Sequence, residues 1–107
     1  MELPYVSIIT PVYNSENVIS ECLNAIAQQD YPKEKIEIIM PDGGSKDNTL
    51  KIIDSFKKYL NIIVCNNPLK TGEAGKSVGI EMAKGDIIAL IDSDNIMPDS
   101  SYLRNMV

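Results

Sequence analysis

Asp86-Ile87-Ile88-Ala89-Leu90-Ile91-Asp92-Ser93-Asp94 is an apolar run that stops on two carboxylates one residue apart. A buried strand tolerates no unpaired charge, so acids at its carboxyl end must face a cleft where water, a metal ion or a ligand meets them. With Ser93 between them, Asp92 and Asp94 point to the same side of an extended chain. There they can hold a divalent cation and leave positions open for phosphate oxygens. The plainer use of such residues is to cap a following helix.

Upstream, similar runs recur at Val6-Ser-Ile-Ile-Thr10, Ile36-Glu-Ile-Ile-Met40 and Ile62-Ile-Val-Cys65. With Ile87 to Ile91 they alternate with helical stretches, which is a βαβαβαβ pattern. In the first helical stretch Val18, Cys22 and Ile26 form one row and Ile19, Leu23 and Ala27 the next, with Asn14 or Ser15 placed to cap it. Ser45 or Asp47 is placed to cap a second, whose Leu50, Ile53, Phe56 and Leu60 share a face and whose carboxyl end carries Lys57 and Lys58. The third, about residues 73–84, follows Gly72, carries Gly75 and Gly79 and stops at Gly85. Each interior glycine costs roughly 1 kcal/mol of helix stability. Close approach to a sheet or a ligand offsets that cost. Pro98 to Val107 reads as the start of a fourth helix.

Right-handed crossovers turn this pattern into an α/β, Rossmann-like fold: an open, mostly parallel sheet of about four strands in the order 3-2-1-4, with helices on both faces. The order reverses between strands one and four, and ligands bind at the carboxyl ends of the strands beside such a reversal. Three polar segments converge there: Thr10 to Asn14, Asp42 to Ser45, and Asp92 to Asp94.

At 107 residues and 44% apolar content the chain supports one small domain, residues 1–107. Fifteen acids against ten bases give a net charge of −5 without a basic cluster, which argues against nucleic acid and anionic membrane as direct partners. Cys22 and Cys65 sit at apolar positions as reduced cysteines do, which points to the cytoplasm. The chain has no histidine, so any metal here is a hard, oxygen-bound ion. No apolar run approaches the ~20 residues that span a bilayer, and no export signal is read at the amino terminus.

Each polar segment offers distinct chemistry. Pro11 ends the first strand, Tyr13 presents a flat ring on which a base can stack, and Glu16 can accept hydrogen bonds from sugar hydroxyls. Asp42 heads the Gly43-Gly44 turn, where glycine permits close backbone approach, and can accept the imide N–H of uracil or the N1–H of guanine. Lys76 lies in Thr71-Gly-Glu-Ala-Gly-Lys-Ser77, which invites comparison with a phosphate-binding loop. It lacks the first glycine at the required spacing and follows the third strand instead of the first, so Lys76 is read as a point charge near a diphosphate.

Together these segments resemble the amino-terminal half of the family 2 glycosyltransferases, inverting nucleotide-sugar enzymes of the GT-A fold. Val6-Ser-Ile-Ile-Thr-Pro-Val-Tyr-Asn-Ser-Glu16 is similar to that family's opening strand and loop. Glu37-Ile-Ile-Met-Pro-Asp-Gly-Gly-Ser-Lys-Asp-Asn-Thr49 is similar to its second strand and acidic turn, and Gly79 to Asp94 to the approach to its DxD motif. The resemblance implies that Pro11, Tyr13, Glu16 and Asp42 surround base and ribose, and that Lys76 stands near the diphosphate or base. Asp92 would meet ribose or metal-coordinated water, Ser93 beside it would also contact the nucleotide, and Asp94 would ligate Mn2+ or Mg2+ bridging the diphosphate. It also implies a nucleotide-sugar donor, UDP-sugars first, and a place in the cytoplasm or at the cytoplasmic membrane face.

The sequence departs from the family at Pro41, where an apolar strand residue is usual, at Gly43, which replaces a frequent second Asp, and at Ser77, where Asn often follows the basic residue. The family's acceptor-side half, with its catalytic base, has no counterpart in these residues, so the expectation is a region that binds nucleotide without completing the transfer. A response-regulator receiver domain is the alternative, on Asp94-Asn-Ile-Met-Pro98, and a non-catalytic nucleotide-binding or structural remnant is another. The apolar fourth strand would present an uncovered edge, so the chain is expected to self-associate there. A strictly monomeric sedimentation profile at high concentration would count against that.

Overall fold

The computed structural model describes residues 2–95 and 97–107. Met1 and Ile96 lie outside the described residues, the latter within the Asp94 to Pro98 stretch compared above with receiver domains. The elements run β1 (Val6–Ile9), α1 (Ile19–Ala27), a 3-10 turn (Lys33–Lys35), β2 (Ile36–Asp42), α2 (Thr49–Phe56), β3 (Ile62–Asn66), α3 (Gly72–Met82), β4 (Ile87–Leu90) and α4 (Tyr102–Met106). The four strands form one parallel sheet in the order β3-β2-β1-β4, as the alternation of apolar runs implies. A receiver domain places strand three beside strand one. Here β1 lies between β2 and β4, which removes that alternative.

Side-chain alternation sorts the sheet residues between two faces. Val6, Ile8, Ile36, Ile38, Met40 and Ala89 pack with Ile19, Cys22, Leu23, Ile26 and Ile53 from α1 and α2 in one buried cluster. The opposite face carries Ser7, Ile9, Glu37 and Ile39 and is covered by α3, which packs on β2 and β1. On β4 that face is uncovered: Ile88 is 40% and Leu90 50% exposed. Among the described residues no helix is long and apolar enough to cross a membrane.

The glycines of α3 serve the sheet. A Cβ on Gly79 would collide with Ile9 Cγ2, and one on Gly75 would lie 2.7 Å from Pro11 Cβ. Below them, Glu37 is 2% exposed on β2. It accepts from the Ser7 hydroxyl at 2.6 Å and the Lys84 N–H at 2.7 Å, and the same Ser7 oxygen accepts from Gly85 N–H at 2.8 Å. This buried carboxylate pins the turn between α3 and β4, which fixes where β4 begins and so where Asp92 and Asp94 emerge.

Two expectations need correction. α2 ends at Phe56 and does not reach Lys57, Lys58 or Leu60, although Leu60 is buried as expected. Neither Asn14 nor Ser15 caps α1 through its side chain: the Ser15 carbonyl accepts the Val18 and Ile19 N–H groups, and both side chains are used elsewhere. For α2, Asp47 Oδ1 accepts the Thr49 N–H at 2.9 Å, whereas Ser45 is drawn away to Asp42. α3 gains a cap the sequence reading did not name, Thr71, whose hydroxyl accepts from Ala74 N–H at 3.1 Å.

Gly79→Ala tests the close approach. Ile9 is fully buried and β-branched, so its side chain yields little. Overpacking costs roughly 1–3 kcal/mol, which offsets or exceeds the helix gain of about 1 kcal/mol. The denaturation midpoint is expected to fall, while Gly72→Ala, whose Cβ meets nothing within 4 Å, keeps or raises it. A midpoint raised by both substitutions contradicts this packing.

Candidate functional site

At the carboxyl ends of β1 and β2 the first two loops are stitched together before any ligand is considered. Val12 continues the ladder past β1, donating to the Pro41 carbonyl at 2.9 Å and accepting from Gly43 N–H at 2.9 Å. Asn14 takes φ +46°, a left-handed conformation that asparagine tolerates. Its N–H donates to Ser45 Oγ at 2.8 Å, and its Oδ1 accepts from Lys46 N–H at 2.8 Å. Thr49 is fully buried and joins both loops: its hydroxyl accepts from Ser15 N–H at 2.7 Å and donates to Asp47 Oδ1 at 2.5 Å.

These bonds place the residues expected to meet a nucleotide. Tyr13 is 48% exposed, and its Cδ1 lies 3.3 Å from where a Cβ on Gly43 would stand, so the ring rests on the glycine turn. Pro11 is half-buried and turned toward α3, against Gly75. It shapes the site by seating that helix. Glu16 reaches across to the second loop, where Oε1 accepts from Asn48 Nδ2 at 3.1 Å and from Asn48 N–H at 3.4 Å. Asp42 folds onto its own turn and accepts Gly44 N–H at 3.1 Å, Ser45 N–H at 3.1 Å and the Ser45 hydroxyl at 2.6 Å.

Across the crevice, Lys76 Nζ lies 3.7 Å from Asp92 Oδ1. Ser93 Oγ is 3.5 Å from Ser15 Oγ, which brings the loop after β4 against the loop after β1. Asp94 is exposed and has no hydrogen-bond or ion-pair partner among the described residues. It is near α1: burial, then the charge of Asp94, pushes the Cys22 thiol up to about 11. Cys65 is also raised by burial, and both cysteines are free.

The chemistry of the donor set suits a divalent cation. Asp92 and Asp94 are hard oxygen donors on exposed side chains, suited to Mg2+ or Mn2+. No cluster of three or more His, Cys, Asp or Glu ligands occurs among the described residues. The fit is therefore to a shared site, in which protein carboxylates supply part of the coordination and a ligand's oxygens the rest.

Three residues of the site went unnamed in the sequence. Thr49 follows Asp47 by two, a spacing that signals a local cap but not the bond to Ser15. Asn67, 2% exposed, donates from its N–H to the Asp42 carbonyl at 2.8 Å and from Nδ2 to the Thr71 carbonyl at 2.9 Å. Lys70 follows Pro68 in a turn, and its N–H donates to the Asn67 carbonyl at 3.1 Å. Pro68 marks a turn there, but nothing local shows that it folds toward Gly43.

Residues 7–107 match the profile of Glycosyl transferase family 2. The chain is 41% identical over 102 residues to the poly(ribitol-phosphate) beta-glucosyltransferase of Bacillus spizizenii, an alignment that covers 92% of this chain and 16% of that protein. Among solved structures, S. aureus TarS 1-349 in complex with UDP superposes with a TM-score of 0.86 at 33% identity, over 94% of this chain and 30% of that one. The mannosyltransferase PcManGT of Pyrobaculum calidifontis, in complex with GDP-Man and Mn2+, gives 0.83 at 27% identity, over 98% of this chain and 32% of that one. The chain thus spans about a third or less of the length of these relatives.

The loop stitching carries a pH signature at Asp47. Desolvation pushes its carboxyl upward, but hydrogen bonds from the Thr49 hydroxyl and N–H and from the Glu16 N–H outweigh it and hold the group below the usual range. A folded-state value below the unfolded one means that the ionised form stabilises the fold above about pH 4, and that this contribution is lost as pH falls through the folded value. Asp47→Asn is expected to be less stable than the parent at neutral pH and to converge on it in acid. A stability difference unchanged between neutral pH and about pH 3 contradicts the role.

Proposed function

We propose that this chain, which belongs to glycosyl transferase family 2, binds the nucleotide diphosphate sugar of a transferase that moves the sugar to an acceptor hydroxyl with inversion and metal assistance. The observation that carries the reading is the convergence of Tyr13, Glu16 and Asp42 with Lys76, Asp92, Ser93 and Asp94 at the sheet's reversal point, where the loops are already held in place. The UDP and GDP-Man complexes of the structural relatives support a nucleotide-sugar donor, with a UDP-sugar as first choice.

In this reading Tyr13 supplies a stacking face for the base, and Asp42 accepts the base N–H beside the glycine turn. Glu16 keeps Oε2 for ribose hydroxyls while Oε1 remains on Asn48. Lys76 exchanges its pairing with Asp92 for a diphosphate oxygen, which frees the Asp92 carboxylate at the moment of binding. Ser93 holds the loop after β4 against Ser15. Asp94 with Asp92 would hold Mn2+ or Mg2+, which when bound supplies Lewis-acid stabilisation of the departing nucleoside diphosphate. Deprotonation of the acceptor is assigned to none of these residues. The family resemblance and the two free thiols support a place in the cytoplasm or at the cytoplasmic membrane face.

Calorimetric titration with UDP, with and without Mn2+, tests the reading. UDP is expected to bind more tightly with Mn2+, and Asp94→Asn is expected to weaken the Mn2+-dependent binding by roughly tenfold or more, about 1.4 kcal/mol. UDP binding that is indifferent to Mn2+ and to Asp94→Asn contradicts the metal assignment. No binding of UDP or GDP contradicts the donor-binding assignment.

A further inference from the structure

Lys70 is a cation that the reading above leaves without a task. Its φ of +63° lies in the left-handed region, where an L side chain crowds its own backbone. Its N–H is held by the Asn67 carbonyl, and Asn67 is held in turn by the Asp42 carbonyl at the end of β2. The strained turn lays Lys70 across the glycine loop. Its Cα and Cβ lie 3.4 and 3.5 Å from where a Cβ on Gly43 would stand, and its Cε lies 4.0 Å from one on Gly44. Tyr13 closes on Gly43 as well. The side chain is exposed, and among the described residues no carboxylate pairs with it.

We propose that Lys70 is a specificity-determining residue that reads the edge of the nucleotide base beside Asp42. The proposal rests on the reading of the Asp42 turn as the base pocket. An ammonium only donates and a carboxylate only accepts. Asp42 already takes three donors from Gly44 and Ser45, which leaves about one of its roughly four lone-pair sites for a ligand. An acceptor beside a donor matches a ring N–H next to a carbonyl, the edge that uracil and guanine present. The carbonyl common to both is O4 of uracil and O6 of guanine, and Lys70 is assigned to that side; at the same edge cytosine and adenine present a bare ring nitrogen next to an amino group. Both contacts then fail, because the carboxylate meets a lone pair and the ammonium meets another donor. A paired contact of this kind discriminates by roughly 10- to 100-fold.

The test is titration of the full chain with UDP, GDP and CDP in the presence of Mn2+, for the parent, Lys70→Arg, Lys70→Met and Lys70→Gly. UDP and GDP are expected to bind the parent roughly tenfold or more tightly than CDP, and Lys70→Arg to keep that ratio. Lys70→Met and Lys70→Gly are expected to bring the ratio within about threefold. Lys70→Gly is expected to melt no lower than the parent, since glycine takes the left-handed conformation freely, so its loss of selectivity is not a loss of fold. A parent that does not distinguish UDP from CDP overturns the proposal, as does a UDP-to-CDP ratio that survives Lys70→Met. Either result leaves nucleotide binding standing. Failure of all three nucleotides to bind the parent overturns both the proposal and the reading beneath it.

Discussion

Beyond the carboxyl ends of β1 and β2 the backbone N–H groups lose their strand partners, and they still need acceptors. The loops meet that requirement with one another's side chains. Ser15 N–H goes to Thr49, Asn14 N–H to Ser45, Lys46 N–H to Asn14 and Glu16 N–H to Asp47. Ordering loop residues costs about 1–2 kcal/mol each in backbone entropy. In this protein that cost is met during folding, so a ligand meets loops already in place and need not order them.

The two sides of the crevice differ in how far they are prepared. On the Tyr13 and Asp42 side the loop N–H groups and the Asp42 and Asp47 carboxylates have intramolecular partners. On the Asp94 side one carboxylate has none among the described residues, and the exposed Asp92 has a half-buried lysine at 3.7 Å. A pair held at that distance with its carboxylate in solvent contributes little to stability. A diphosphate and its counter-ion can displace it at small cost. The rigid side suits shape recognition of a base, and the exchangeable side suits the charged part of the ligand.

What was legible in the sequence followed from local rules. The strand order came from apolar runs and the handedness of crossovers, and the placing of Asp42, Asp92 and Asp94 came from the bar on unpaired charge within a buried strand. The close approach of α3 was signalled by Gly75 and Gly79, whose missing Cβ atoms leave room for Pro11 and Ile9. The destinations of Asn14, Ser15 and Ser45 were not legible. Each is a good helix cap by local preference, and each is claimed by the loop arrangement instead. Asn14 and Ser45 meet across 31 positions, and Ser15 and Thr49 across 34. Lys70 was invisible for the same reason: its left-handed turn is set by Asn67 and the end of β2, not by its neighbours in sequence.

The central claim is that one crevice, built by these loops, holds both the base and the metal-bound diphosphate. Amide-resolved NMR of the 15N-labelled chain with UDP and trace Mn2+ tests it most directly, because the paramagnetic ion broadens signals near wherever it sits. The account predicts broadening centred on Asp92, Ser93 and Asp94 and extending to Ser15 and Lys76, together with UDP-induced shifts at Tyr13, Gly43 and Gly44. Broadening centred on other acids, such as Glu21 or Asp54 on the helix surfaces, or shifts that miss the glycine turn, would contradict it.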